Sequence, residues 1–142
     1  MKYLKTKLIR LLVNYFDHDD QRIEHALCVL SHAERIMLGY PDCDTDIVIA
    51  SAILHDVGIK IAEEKHGYNT GKTQEEYGPP VAAELLNLID FPHEKTIIVQ
   101  EIIGNHHSPS RYDYPELEIL KAADLIVNEN ARNHDSNKSN EY

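Results

Sequence analysis

Tryptophan is absent from this 142-residue chain, and phenylalanine and cysteine occur twice each. Cys28 and Cys43 form no C-x-x-C pair, so a disulfide framework is excluded and both read as reduced thiols of a cytoplasmic protein. No apolar run approaches the ~20 residues that span a bilayer. Lys2 to Phe16 does not read as a signal sequence, because Arg10 breaks its apolar stretch and no small-residue cleavage site follows. Positive charge is scarce too: 14 Lys and Arg stand against 24 Asp and Glu, a net charge of −10. A nucleic-acid polymer or an anionic membrane is therefore not expected as a partner, since basic surface holds both. A small basic pocket for a phosphorylated ligand stays compatible with this balance.

What the chain has in excess is histidine, nine residues in 142. Histidine is the commonest metal ligand and the side chain that titrates near neutral pH. Apolar residues make up 42%, enough for one core without staples.

Apolar spacing is helical nearly throughout, and no alternating pattern is sustained. Leu4, Leu8, Leu11, Leu12 and Tyr15 predict a first amphipathic helix, whose stripe either packs on the core or forms a homodimer contact. Asp17 to Asp20 interrupt it and cap a second, from Ile23 to Met37. Asp44 or Thr45 caps a third, Asp46 to about Val57, apolar almost all round and therefore central. Gly58 to Gly78 is polar and reads as a long loop beside a site. Pro79 and Pro80 open a fourth helix, Val81 to Ile89, and Pro92 a fifth, about His93 to Asn105. Pro115 opens a sixth, ending near Asn128. The expected architecture is all-α, a bundle of about six helices over residues 1–128, followed by a polar, disordered tail at 129–142.

Several ionisable residues sit where this pattern calls for apolar ones. Asp56 follows Ile49, Ala52 and Ile53 at helical spacing, next to His55. Asp124 follows Leu117 and Leu120 in the same way. His25 lies among Ala26, Leu27 and Val29, and His106 follows Ile102 and Ile103, with His107 beside it. A lone buried carboxylate costs several kcal/mol, roughly, unless paired or bound to a cation. Each histidine alone has an ordinary structural explanation. The joint pattern on four helices points instead to a shared divalent ion: manganese, iron, cobalt, nickel, zinc or magnesium, all of which accept mixed imidazole and carboxylate ligation.

The order His25, then His55-Asp56 behind an apolar helix with Gly58 after it, then Ala122-Ala123-Asp124-Leu125, resembles the HD-domain metal-dependent phosphohydrolase superfamily. The resemblance spans roughly residues 20 to 128. It implies an all-helical fold in which His25, His55, Asp56 and Asp124 hold one metal tightly. It places His106 and His107 where some branches bind a second metal or the substrate phosphate. Those branches carry a further histidine on the fourth helix; here the stretch is Glu75-Glu76-Tyr77-Gly78, so a second site depends on Glu76 or a water. Lys60 lies near a family lysine that meets substrate phosphate, offset by one residue. Arg111 and Arg22 are further phosphate-binding candidates, with a surface ion pair the alternative for Arg22. His18, His32, His66, His93 and His134 read as structural or surface residues.

The resemblance also implies a chemistry. Asp56 bridges or orients a metal-activated water, Lys60 or an arginine neutralises phosphoryl charge, and His106 or His107 protonates the leaving oxygen. Val57-Gly58-Ile59-Lys60 lacks the acidic pair of alarmone hydrolases, and Ser108-Pro109-Ser110 replaces the Gly-Tyr-Pro of cyclic-dinucleotide phosphodiesterases. The expected substrate is a nucleotide or another small phosphate ester or anhydride. The alternative is a non-catalytic metal- and ligand-binding regulatory module.

Overall fold

In the computed structural model, which describes residues 1–140 and the side chains through residue 133, the chain is helical throughout. Among the described residues there are seven α-helices: α1 (Leu4–Phe16), α2 (Asp20–Ile36), α3 (Thr45–Leu54), α4 (Ile59–His66), α5 (Gly71–Leu88), α6 (His93–Ile103) and α7 (Pro115–Asn140). A 3-10 turn, Met37–Gly39, ends α2. No helix among them is long and apolar enough to cross a membrane.

The third helix is the axis, as its composition predicts. Seven of its ten residues are buried, and it packs against α1, α2, α6 and α7. Asp44 caps it, accepting from the amides of Asp46 and Ile47. Around it, α1 buries Leu4, Leu8, Leu12 and Phe16. That stripe is spent on the core, which removes the reason for expecting a homodimer through it.

The stretch 58–78 departs from the expected loop. Ile59 and Ala62 are buried at a spacing of three and anchor α4, which stops at Gly67 in a left-handed conformation (φ 76°), its amide donating to Glu63. A reciprocal cap between Thr70 and Thr73 then starts α5 eight residues ahead of Pro79. The two prolines sit inside this helix rather than at its start. Two prolines remove two helical hydrogen bonds, and burial of Val81, Ala82 and Leu86 beyond them offsets that loss.

The junction between α3 and α4 lies against α5 through two glycines. A Cβ on Gly58 would stand 2.5 Å from the Gly78 nitrogen, and one on Gly78 would stand 2.6 Å from Ile103 Cγ2. Only residues without a side chain permit that approach.

The last helix continues past Asn128 to Asn140. The expected tail at 129–142 therefore begins as helix. Its end, residues 141 and 142, and its side chains from His134 onward lie outside the described residues.

Candidate metal centre

Three helices converge on one point. Helix α2 brings His25, with its first turn fixed by the Asp19 cap on the Arg22 amide. Helix α3 ends just before His55 and Asp56, and α7 brings Asp124. His25 Nε2 lies 3.3 Å from both Asp56 Oδ2 and Asp124 Oδ1. His55 Nε2 lies 3.3 Å from Asp56 Oδ2 and 3.4 Å from Asp124 Oδ1. Ligands bound to one ion at about 2.0–2.2 Å are themselves about 3–3.5 Å apart, so each of these four nitrogen–oxygen pairs has the spacing of neighbours in one coordination shell, and His25, His55 and Asp56 bring their ligand atoms within 4.8 Å of one another.

Hydrogen bonding at the far side of each ring supports this. His55 Nδ1 donates to the Ala52 carbonyl (2.7 Å) and His106 Nδ1 to the Ile103 carbonyl (2.6 Å). Both bonds leave Nε2 turned inward, the backbone support usual for a metal-ligating histidine. Both Nε2 atoms are buried without a directed hydrogen bond. Orphaned buried nitrogens facing two carboxylates fit a divalent cation of the mixed nitrogen and oxygen class.

The local charges fall into the same pattern. Burial pulls the His55 ring down, but Asp56 and then Asp124 outweigh it and lift the ring to about 9. Burial raises Asp124, yet its contacts with His25 and His55 hold it well below the usual carboxylate range. His106 goes the other way, pushed down to about 3 by burial and then by His55 and His107. A proton on His55 thus stands in for a cation between the two aspartates.

Asp56, His106 and His107 form a second cluster with ligand atoms within 4.8 Å of one another, so Asp56 is common to both. Glu76, expected to complete it, is exposed on α5. Its neighbours on α5 instead hydrogen-bond the segment of His107 and Ser108. Gln74 Oε1 accepts from His107 Nε2 (2.6 Å), Glu75 Oε2 from the His107 amide (3.0 Å), and Glu75 Oε1 from Ser108 Oγ (2.7 Å).

The cations predicted for substrate phosphate are placed less simply. Lys60 donates to the Tyr15 carbonyl (3.3 Å) and lies over the Tyr15 ring, at the end of α1. Arg111 donates to the Gly104 carbonyl (3.1 Å) and braces the end of α6. Arg22 lines a cleft of ≈ 520 Å³ that also includes His25 and Asp56, but it is paired with Asp19 and Glu63. The surface ion pair weighed for Arg22 is present.

Two residues were not foreseen. Lys121, one turn before Asp124, lines a second cleft of ≈ 340 Å³ with His106 and His107. Its Nζ donates to the Ser108 carbonyl and to Ser110 Oγ, both at 2.6 Å. The spacing of three from Asp124 was its available signal. Asn105 is fully buried and ties the loop behind the histidines, donating to Pro109 and accepting from the Arg111 amide. His66 bonds Tyr77, and His93 lines a cleft away from the centre.

Comparison with known proteins agrees with this geometry. The HD domain family pattern matches residues 22–129. A 3'-5' exoribonuclease YhaM of Halalkalibacterium halodurans is 29% identical over 114 residues, covering 72% of this chain and 34% of that protein. Its namesake in Bacillus subtilis is 28% identical over 109 residues, with the same coverage of both chains. The chain thus spans about a third of the length of these relatives. No solved structure matches it significantly. These relatives overturn the expectation that a nucleic-acid polymer is excluded as a partner. Net charge describes the average surface, whereas a polymer cut from its end presents only its last few phosphates to a cleft.

Proposed function

The chain belongs to the HD-domain family, and on that premise we propose that it is a metal-dependent phosphohydrolase cleaving a phosphoester bond of a nucleotide, free or at the end of an RNA strand. The observation that carries this is the four-atom cluster of His25, His55, Asp56 and Asp124, spaced 3.3–3.4 Å across each nitrogen–oxygen pair. A divalent ion held there supplies an activated water and a Lewis acid for a phosphoryl oxygen. Manganese, iron, cobalt, nickel, zinc and magnesium all suit this donor set. One ion would be held by these four residues. A second, weaker one would draw on Asp56, His106 and His107.

The side chains supply the rest. Asp56, common to both clusters, orients the attacking water. His106 is too easily deprotonated, at about 3, to carry a proton near neutral pH. Where no second ion is bound, the exposed ring of His107 supplies the donor to the leaving oxygen by giving up its bond to Gln74. The relatives named as 3'-5' exoribonucleases support including RNA ends among the substrates. The free thiols of Cys28 and Cys43 support a cytoplasmic location.

A non-catalytic binding module is the second reading. It is favoured by the stretch from Gln74 to Gly78, which carries no histidine and spends Gln74 and Glu75 on hydrogen bonds to His107. The test is product release from a panel of nucleotides, bis(p-nitrophenyl) phosphate and short oligoribonucleotides, with manganese, cobalt, nickel or magnesium added. Turnover by the wild type and none by Asp56→Ala supports the hydrolase. Silence with metal bound supports the module.

A further inference from the structure

Two clefts open beside the metal centre, and their charges differ. The larger, ≈ 520 Å³, includes Arg22 but also Asp19, which with Glu63 neutralises that guanidinium. An anionic group entering there meets carboxylates whose countercharge is already used. The smaller, ≈ 340 Å³, is lined by Lys121 and a single carboxylate, Asp124, together with His106, His107, Ser108 and Asn128. Lys121 is half-buried, and among the described residues it forms no ion pair with a carboxylate. Its partners are a carbonyl and a serine hydroxyl, and that hydroxyl in turn donates to Glu118. These partners fix the ammonium in place without a direct carboxylate contact, Glu118 being reached only through the Ser110 hydroxyl. Lys121 and Asp124 are one turn apart on α7, so the same helix face carries the cation and a metal ligand.

We propose that Lys121 is the substrate-phosphate-binding residue of this protein, and that substrate enters by the cleft of Lys121 and His107 rather than by the larger cleft of Arg22. The inference rests on the phosphohydrolase reading and deepens it. A compact ammonium with three donors suits one non-bridging phosphoryl oxygen. Leu125, one turn further along α7, is exposed on the same wall and offers an apolar surface to the flat part of a nucleotide. The assignment also gives Lys60 and Arg111 purely structural duties at the ends of α1 and α6.

The probe is inorganic phosphate, titrated calorimetrically into manganese-loaded wild type, Lys121→Gln, Lys121→Arg and Arg22→Gln. Glutamine at 121 keeps a donor for the Ser108 carbonyl and removes the charge, which separates anchoring the loop from binding the anion. Phosphate affinity is expected to fall at least tenfold in Lys121→Gln, to stay within threefold of wild type in Lys121→Arg, and to be unchanged in Arg22→Gln. Manganese content and melting temperature are expected to stay level across the set. With any substrate that is turned over, Lys121→Gln raises KM more than it lowers kcat. Unchanged phosphate binding in Lys121→Gln, or its loss in Arg22→Gln, overturns the assignment while the hydrolase reading stands. A wild type that holds manganese, binds no phosphate and turns over no substrate overturns both.

Discussion

His55 and His106 occupy neighbouring positions in the core with opposite titration, and this fixes how the metal-free protein responds to pH. His55 is raised from 6.5 to about 9, so its stabilisation is fully present below pH 6.5 and is lost as pH rises through about 9. His106 is lowered to about 3, so burying it neutral costs progressively more as pH falls below 6.5. Asp124, held low, adds a further loss only in strong acid. The metal-free protein is therefore most stable near pH 6.5, with a slope of up to about 1.4 kcal/mol per pH unit above it. Urea titrations from pH 5 to 9 check this; stability rising steadily to pH 9 contradicts it. Metal binding runs against the same proton. An ion must displace it from His55, so apparent affinity rises with pH up to about 9, by as much as about tenfold per unit. Calorimetry in buffers of different ionisation enthalpy would count the released proton. The residues proposed to hold the metal stood out because charge on an apolar stripe is visible in sequence. Lys121 was not, because nothing in the sequence shows that Arg22, Lys60 and Arg111 are already engaged.

Helix order shows where sequence pattern gives way to tertiary packing. The central α3 and its Asp44 cap followed directly from composition. The region 58–78 did not, because its helices are short, polar outside, and interrupted by a proline pair that ordinarily marks a beginning. The signals present were the Thr70/Thr73 cap and Gly67 behind a basic turn, both local and easily outweighed. The contact of Gly58 with Gly78 joins this region to the site, since Gly58 lies two residues past Asp56. Gly78→Ala drives a methyl against Ile103 at 2.6 Å. It is expected to cost about 1–3 kcal/mol by chemical denaturation. Gly58→Ala must move backbone, and is expected to lower metal affinity as well as stability. A Gly58→Ala protein with wild-type affinity for manganese would show that the junction does not position Asp56. Thr70→Ala removes the cap that starts α5 and is expected to cost about 1 kcal/mol by chemical denaturation.

At the scale of the whole molecule, the proposed site for an anion sits in an acidic chain. The net charge of −10 leaves little basic surface along which a strand could lie. A short oligoribonucleotide bound by this chain is expected to make one or two phosphate contacts. Its affinity then falls less than about tenfold between roughly 50 and 200 mM salt. A loss of about a thousandfold, measured by fluorescence anisotropy, would reveal a longer run of basic contacts and contradict this. The relatives are about three times as long as the matched portion, so further RNA contact in them has ample chain to come from. The account rests on one metal centre, and its most direct test is to strip the protein of metal, reload it with manganese, and measure bound ion and phosphoester hydrolysis together. One tightly held equivalent and restored turnover are predicted, with both lost in Asp56→Ala. Hydrolysis that survives complete stripping, or manganese retained without loss of affinity by Asp56→Ala, would contradict it.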